Sequence, residues 1–282
     1  FGFNISQNKN EILELPENKN DELYTFGNKN YAYSVMMGDP LGSFYGYRYK
    51  GVYQNVEETY AVNTSGQRIL DIDGNPVVMK NGDQKVYPGD ARYEDVNGDG
   101  VIDENDIVYL GNSNPTLTGG LNFTLRYKKV SLVAAFHGRA GQKVINQARM
   151  DMENMRGKNN QSVAVLRRWR SEGDDTDIPR ALYDKGYNYL GSDRFVEDAS
   201  FLRLKTVTLK YQMPAKWMKA IGVNKLELYA TGYDMFVWTK YKGQDPEVNL
   251  KAANDGTVAQ VAIDSNNTPK PFKIAFGLNL NF

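Results

Sequence analysis

Apolar and polar residues alternate without interruption over 272–282: Phe272, Ile274, Phe276, Leu278, Leu280 and Phe282 share one side, and Lys273, Ala275, Gly277, Asn279 and Asn281 share the other. A period of two places successive side chains on opposite faces of a strand, so this pattern predicts a strand with one apolar face and one small or polar face. The segment is as long as the roughly 9–11 residues that a tilted strand needs to cross a bilayer. A sandwich strand alternates in the same way, so this segment alone leaves both architectures open. Strand-period runs also occur at 1–7, 44–53, 117–127, 130–138, 200–212 and 225–238. In the third, Leu121, Phe123, Leu125 and Tyr127 are expected to face lipid while Asn122, Thr124 and Arg126 face a wet interior.

The connections between these runs fall into two kinds. A tight hairpin is expected at Tyr127-Lys128-Lys129-Val130, and a helical turn or two over 213–222, opened by Pro214 and closed by Gly222. In contrast, 54–116, 139–199 and 239–271 are long and rich in Asn, Asp, Gly and Ser. Short turns at one end and long loops at the other are the layout of an outer-membrane barrel, with the long loops outside the cell and the short turns in the periplasm. Segment 8–43 is too long for a periplasmic turn and does not fit this alternation. Aromatic residues cluster at Tyr45, Tyr47, Tyr49 and Tyr53 and at Phe236, Trp238 and Tyr241, as expected for rings at the lipid headgroup level.

Composition changes the picture in three ways. The 34 basic and 34 acidic residues balance, which argues against a nucleic-acid partner. Mean hydropathy is −0.58, and no run approaches the length of a membrane-spanning helix, although a barrel needs neither high hydropathy nor such a run. Cysteine is absent and His137 is the single histidine, so nucleophilic triads have almost no material. Asp174, Asp175 and Asp177 offer carboxylates of the kind glycoside hydrolysis uses, but in a Gly/Asp-rich stretch best read as a solvated loop. The chain opens Phe-Gly-Phe-Asn-Ile-Ser, already in strand register, and is expected to be the carboxyl-terminal piece of something longer.

One motif invites a metal. The segment 95–106 places Asp95, Asn97 and Asp99 at loop positions 1, 3 and 5, Gly100 at 6, the Val101 carbonyl at 7 and Asp106 at 12. These are the offsets of an EF-hand-type calcium loop, with Ile102 as the anchor to neighbouring structure. Asp106 stands where a bidentate Glu is usual and no long helices flank the loop, so the expected ion is a structural Ca2+.

Several stretches taken in order resemble the SusC/RagA family of TonB-dependent outer-membrane transporters: 42–54 (GSFYGYRYKGVYQ), 87–103 (YPGDARYEDVNGDGVID), 111–120 (GNSNPTLTGG), 193–205 (DRFVEDASFLRLK), 238–247 (WTKYKGQDPE) and the closing strand. Asp234 stands where Asn is expected and Gln244 where an aromatic is frequent. The resemblance implies an all-β fold, the carboxyl-terminal strands of a large antiparallel transmembrane β-barrel with long extracellular loops. It also implies TonB-energised import of oligosaccharides or peptides together with a SusD-like surface lipoprotein, in the outer membrane, with no enzymatic activity. The plug and the TonB-contacting segment are not among these residues. Phe282 resembles the terminal aromatic read by the barrel-assembly machinery. The rival readings are a secreted calcium-binding β-protein that adheres to glycans and, more remotely, a glycan-cleaving enzyme.

Overall fold

A computed structural model of the chain describes residues 1–15, 24–25, 31–33, 36–184, 187–220, 222–252 and 260–281. Six strands form one sheet: β1 (Gly2–Gln7), β2 (Leu117–Tyr127), β3 (Val130–Ala140), β4 (Phe201–Gln212), β5 (Lys225–Thr239) and β6 (Lys273–Asn281). They lie side by side in chain order, and every neighbouring pair is antiparallel. Each corresponds to a run expected from the alternation.

Register converts that alternation into two continuous faces. Leu125 lies opposite Leu132, Leu132 opposite Leu209, Leu209 opposite Ala230, and Ala230 opposite Phe276. The same row on the other face reads Thr124, Val133, Thr208, Thr231 and Ala275, with Thr208 and Thr231 sharing a 2.9 Å hydrogen bond. Within the inner face Tyr229 lies opposite Gly277, and a Cβ at 277 would fall 2.3 Å from the Tyr229 ring, so only glycine lets that ring lie flat across the strand. The outer apolar face is open: Phe3 is 81% and Phe276 82% exposed. A sandwich would bury such residues against a second sheet, and none covers this face among the described residues. The sheet is a barrel wall, as the alternation and the loop lengths anticipated.

Between β4 and β5 the register slips, with Leu204 opposite Phe236 but Thr206 opposite Tyr233. Asp234 occupies this bulge with φ +49°, a left-handed conformation that Asn and Asp tolerate better than other side-bearing residues. Asp in place of the expected Asn therefore keeps the bulge intact.

The packed core lies outside the sheet, in a cap built from the three long connections 8–116, 141–200 and 240–272. One cluster joins Tyr31 and Phe44 of the first connection to Ile145, Met150 and Phe195 of the second and Val261 of the third. Backbone bonds stitch the same partners, from Tyr47 N to Gly191 O at 2.9 Å and from Asp193 N back to Tyr47 O at 3.1 Å.

This arrangement corrects two expectations. Segment 44–53 is not a wall strand: it is split into Ser43–Gly46 and Tyr49–Val52, which pair with Val108–Asn112 and Ala91–Tyr93 inside the cap. Its tyrosines do not sit at a headgroup level, since Tyr45, Tyr47 and Tyr53 are buried, and burial pushes the phenols of Tyr47 and Tyr53 up to about 12. Tyr241 also belongs to the cap core, its hydroxyl 2.6 Å from Asp264 Oδ2, whereas Phe236 and Trp238 do lie exposed on the outer face. With 44–53 removed from the wall, no wall strand lies between β1 and β2 among the described residues, and 8–43 is no longer required to be a periplasmic turn.

At the opposite end the hairpin closes with Tyr127 opposite Val130, and a short helix α1 (Ala215–Ala220) follows Pro214 and ends near Gly222, whose φ is +70°. Phe282 lies outside the described residues.

Candidate functional site

The inner face of the wall is polar where it meets the cap, and its centre is a buried cation. Arg203 extends from β4 at 3% exposure, within 2.5 Å of Asp245, 3.4 Å of Glu247 and 4.0 Å of Asp234. Lys205, in the bulge, reaches Asp234 at 3.3 Å and Glu247 at 3.7 Å, and Lys270 reaches Glu247 at 2.5 Å. A charge at this depth persists only with opposite charges around it. Burial disfavours the Glu247 carboxylate, but Lys270, Lys205 and Arg203 outweigh that and hold its pKa below the usual glutamate range. The network joins β4, the bulge of β5 and both ends of the 240–272 connection. The alternation did not reveal it; the available signal was Arg203 and Lys205 interleaved with Leu202 and Leu204 at the start of a strand run, and Asp-Pro-Glu shortly after the next one.

His137 lies on the same face, its ring 5.8 Å from Phe201 in an edge-on contact. Asp174 is a loop residue whose Oδ2 accepts the amides of Arg170 and Ser171, and these bonds lower its pKa. The structure brings His137 and the 174–177 carboxylates into no common site. Arg139, also on the inner face, lines a cleft of about 190 Å3 with Ser113, Gln142 and Asn249, where the wall meets the cap. The arrangement suits the docking of polar molecules, and no nucleophile, base and orienting group come together in it.

The 95–106 loop folds on itself through side chain to backbone bonds. Asp95 Oδ1 accepts Gly98 N at 2.7 Å and its Oδ2 accepts Gly100 N at 2.8 Å; Asp99 Oδ1 accepts Val101 N at 2.8 Å, and Asn97 Oδ1 accepts Asp99 N at 3.1 Å. Gly98 and Gly100 supply the left-handed turns. Val101 and Ile102 pair in parallel with Lys80 and Asn81, and Ile102 is buried, which is the anchoring the spacing called for. Asp106 is fully buried: Oδ1 accepts Val96 N at 2.7 Å, Oδ2 accepts Asp103 N at 2.9 Å, and burial, with help from Asp95 and Asp103, raises its pKa. The oxygens of Asp95, Asn97 and Asp99 suit a hard cation, whereas Asp106 is committed to the backbone and does not present a bidentate face. Among the described residues no three acidic, His or Cys side chains converge as a metal cluster.

Comparison with known proteins finds relatives of this wall and cap among TonB-dependent receptors. No family model matches the chain. The chain is 33% identical to TonB-dependent receptor P26 of Formosa agariphila over 284 residues, 99% of this chain and 26% of that protein. It is 29% identical to TonB-dependent receptor P3 of the same organism over 99% of this chain and 26% of that protein, and 26% identical to TonB-dependent receptor SusC of Bacteroides thetaiotaomicron over 100% of this chain and 24% of that protein. The chain thus spans about a quarter of the length of the curated relatives it matches. Among solved structures, that of the RagAB peptide transporter covers 99% of this chain and 27% of its own at a TM-score of 0.69 and 24% identity, a likeness of fold. The closed-closed state of the RagAB peptide importer gives a TM-score of 0.68 over the same coverage.

Proposed function

We infer from the family to which this chain belongs, the SusC/RagA-type TonB-dependent receptors, that it supplies part of the barrel wall and the surface cap of an outer-membrane nutrient importer. The observation that carries this reading is the single sheet with an open apolar outer face, passing at one end into a cap of three interlocked connections, in a chain similar to such receptors along its whole length. The domain it forms is the carboxyl-terminal part of the receptor barrel, residues 1–282, with 95–106 as a loop inside the cap.

The cargo is proposed to be an oligosaccharide or a peptide, handed over by a SusD-like surface lipoprotein and moved with energy delivered through TonB. The polar inner face and the cleft beside Arg139 support a cargo able to hydrogen-bond. The chain has no proposed enzymatic role. A secreted adhesin is disfavoured by the open outer face, which a water-soluble sheet of this size would cover. The test is uptake of labelled oligosaccharides and peptides by cells carrying the full-length receptor, with the receptor, the lipoprotein or TonB removed in turn. Loss of uptake in all three is expected; unchanged uptake without TonB would refute the mechanism.

A structural Ca2+ at Asp95, Asn97, Asp99 and the Val101 carbonyl is also proposed, with Asp106 turning from the backbone to complete the set. The loop offsets support it, and a dissociation constant of about 10⁻⁴ to 10⁻³ M is expected for an extracellular loop of this kind. Titration calorimetry with CaCl2 should give heat with the unaltered receptor and none with Asp95→Ala or Asp99→Ala; identical heats would remove the site.

A further inference from the structure

Charge is unevenly distributed along the wall although the chain as a whole is neutral. At the short-turn end lie Arg126, Lys128, Lys129, Lys210, Lys216 and Lys225, while Glu227 is the single carboxylate side chain there among the described residues. Arg126, Lys210 and Lys225 fall on the inner face by register, and Lys210 meets Glu227 at 3.7 Å. Lys128 and Lys129 in the hairpin and Lys216 in α1 remain at the rim, exposed and without a carboxylate partner among the described residues.

Three rings stand beside these lysines. Tyr127 is 73%, Tyr211 41% and Trp217 62% exposed; Tyr127 and Tyr211 belong to one outer-face row, both opposite Val130. Lys128 Nζ lies 5.3 Å from the Tyr127 ring centroid. Lys128 also holds φ +53°, a left-handed conformation that favours glycine, so the turn carries a cationic side chain where glycine would be less strained. Amphipathic rings next to an apolar strand face mark the level where hydrocarbon gives way to headgroups. Unpaired lysines at that level attract anionic lipid, each contributing appreciably within a Debye length of the surface.

We propose that the rim formed by Lys128, Lys129 and Lys216 with Tyr127, Tyr211 and Trp217 is a binding surface for anionic phospholipid headgroups in the leaflet at the short-turn end of the barrel. The proposal rests on the sheet being a membrane wall. Its occupant is the phosphate of a net-negative lipid, which matches three uncompensated ammonium groups and leaves the adjoining apolar face to the acyl chains.

Trp217 is the reporter. The full-length receptor is reconstituted in phosphatidylcholine vesicles containing increasing fractions of brominated phosphatidylglycerol or brominated phosphatidylcholine, and the Trp217 signal is taken as the difference from a Trp217→Phe variant. Half-maximal quenching is expected at a roughly fivefold lower fraction of the brominated anionic lipid. The preference should vanish in Lys128→Gln/Lys129→Gln/Lys216→Gln, persist in Lys210→Gln and shrink in about 0.5 M salt. The corresponding triple Arg variant should retain it, which guards against loss through misfolding. Equal quenching by both lipids in the unaltered receptor would overturn the proposal, including when these lysines serve an acidic protein partner instead. Absence of quenching by either lipid, at Trp217 and at Trp238 alike, would overturn the membrane-wall reading itself.

Discussion

Arg203 is the residue on which the junction of wall and cap depends. Its guanidinium is almost fully buried, and three carboxylates from two different elements converge on it. The desolvation of such a group is offset only while its partners stay in place, and removing one member leaves uncompensated buried charge at a cost of about 3–5 kcal/mol. Arg203→Met therefore leaves Asp234, Asp245 and Glu247 facing one another around an apolar side chain. Its melting temperature in detergent should fall more than that of Arg48→Met, whose ion pair to Glu94 lies at the surface, where such pairs are worth about 0–1 kcal/mol. Equal shifts would mean that the network is solvated and not structural.

At the scale of elements, the 240–272 connection is clamped to the wall by carboxylates and therefore carries a pH dependence. The Glu247 pKa is lowered in the folded state, so the stability it contributes is complete above the ordinary glutamate range near 4.3 and is lost as pH falls through the lowered value. Acid should loosen this connection before the cap clusters open, seen as faster amide exchange at 240–252 than at 190–199. Glu247→Gln should show the faster exchange already at neutral pH; exchange that stays independent of pH would remove the clamp. The six wall strands were legible in the sequence because alternation reports a strand with unlike faces, and the Tyr127–Val130 hairpin and the helix after Pro214 were legible from turn chemistry. The cap was not. Ser43–Gly46 is buried along its whole length, yet Phe44 and Tyr45 give the same aromatic signal as a membrane belt, and only tertiary packing tells the two apart. The Arg203 network escaped for a related reason: its carboxylate partners Asp234, Asp245 and Glu247 lie far downstream, and strand period says nothing about which loop returns to which face.

For the whole molecule, the decisive property is that the two faces of one strand meet different solvents. Phe276 and Ala275 are adjacent in β6, in the middle of the wall; Phe276 lies on the outer face opposite Ala230, and Ala275 on the inner face opposite Thr231. A basic residue on the lipid face near the midplane costs about 2–4 kcal/mol, whereas the interior face accepts charge because it is wet. Phe276→Arg should reduce the amount of folded receptor in the outer membrane, measured as the heat-modifiable band on gels, while Ala275→Arg leaves that amount nearly unchanged and alters uptake instead. In a soluble sheet with water on both sides the order would invert, because replacing an exposed phenylalanine by arginine relieves the cost of apolar exposure while arginine at 275 crowds its neighbours. The pair of variants therefore reads the orientation of the wall from a single strand: loss at 276 with tolerance at 275 requires lipid outside and water inside, and the reverse order would dismantle the barrel assignment along with the lipid surface proposed at its rim.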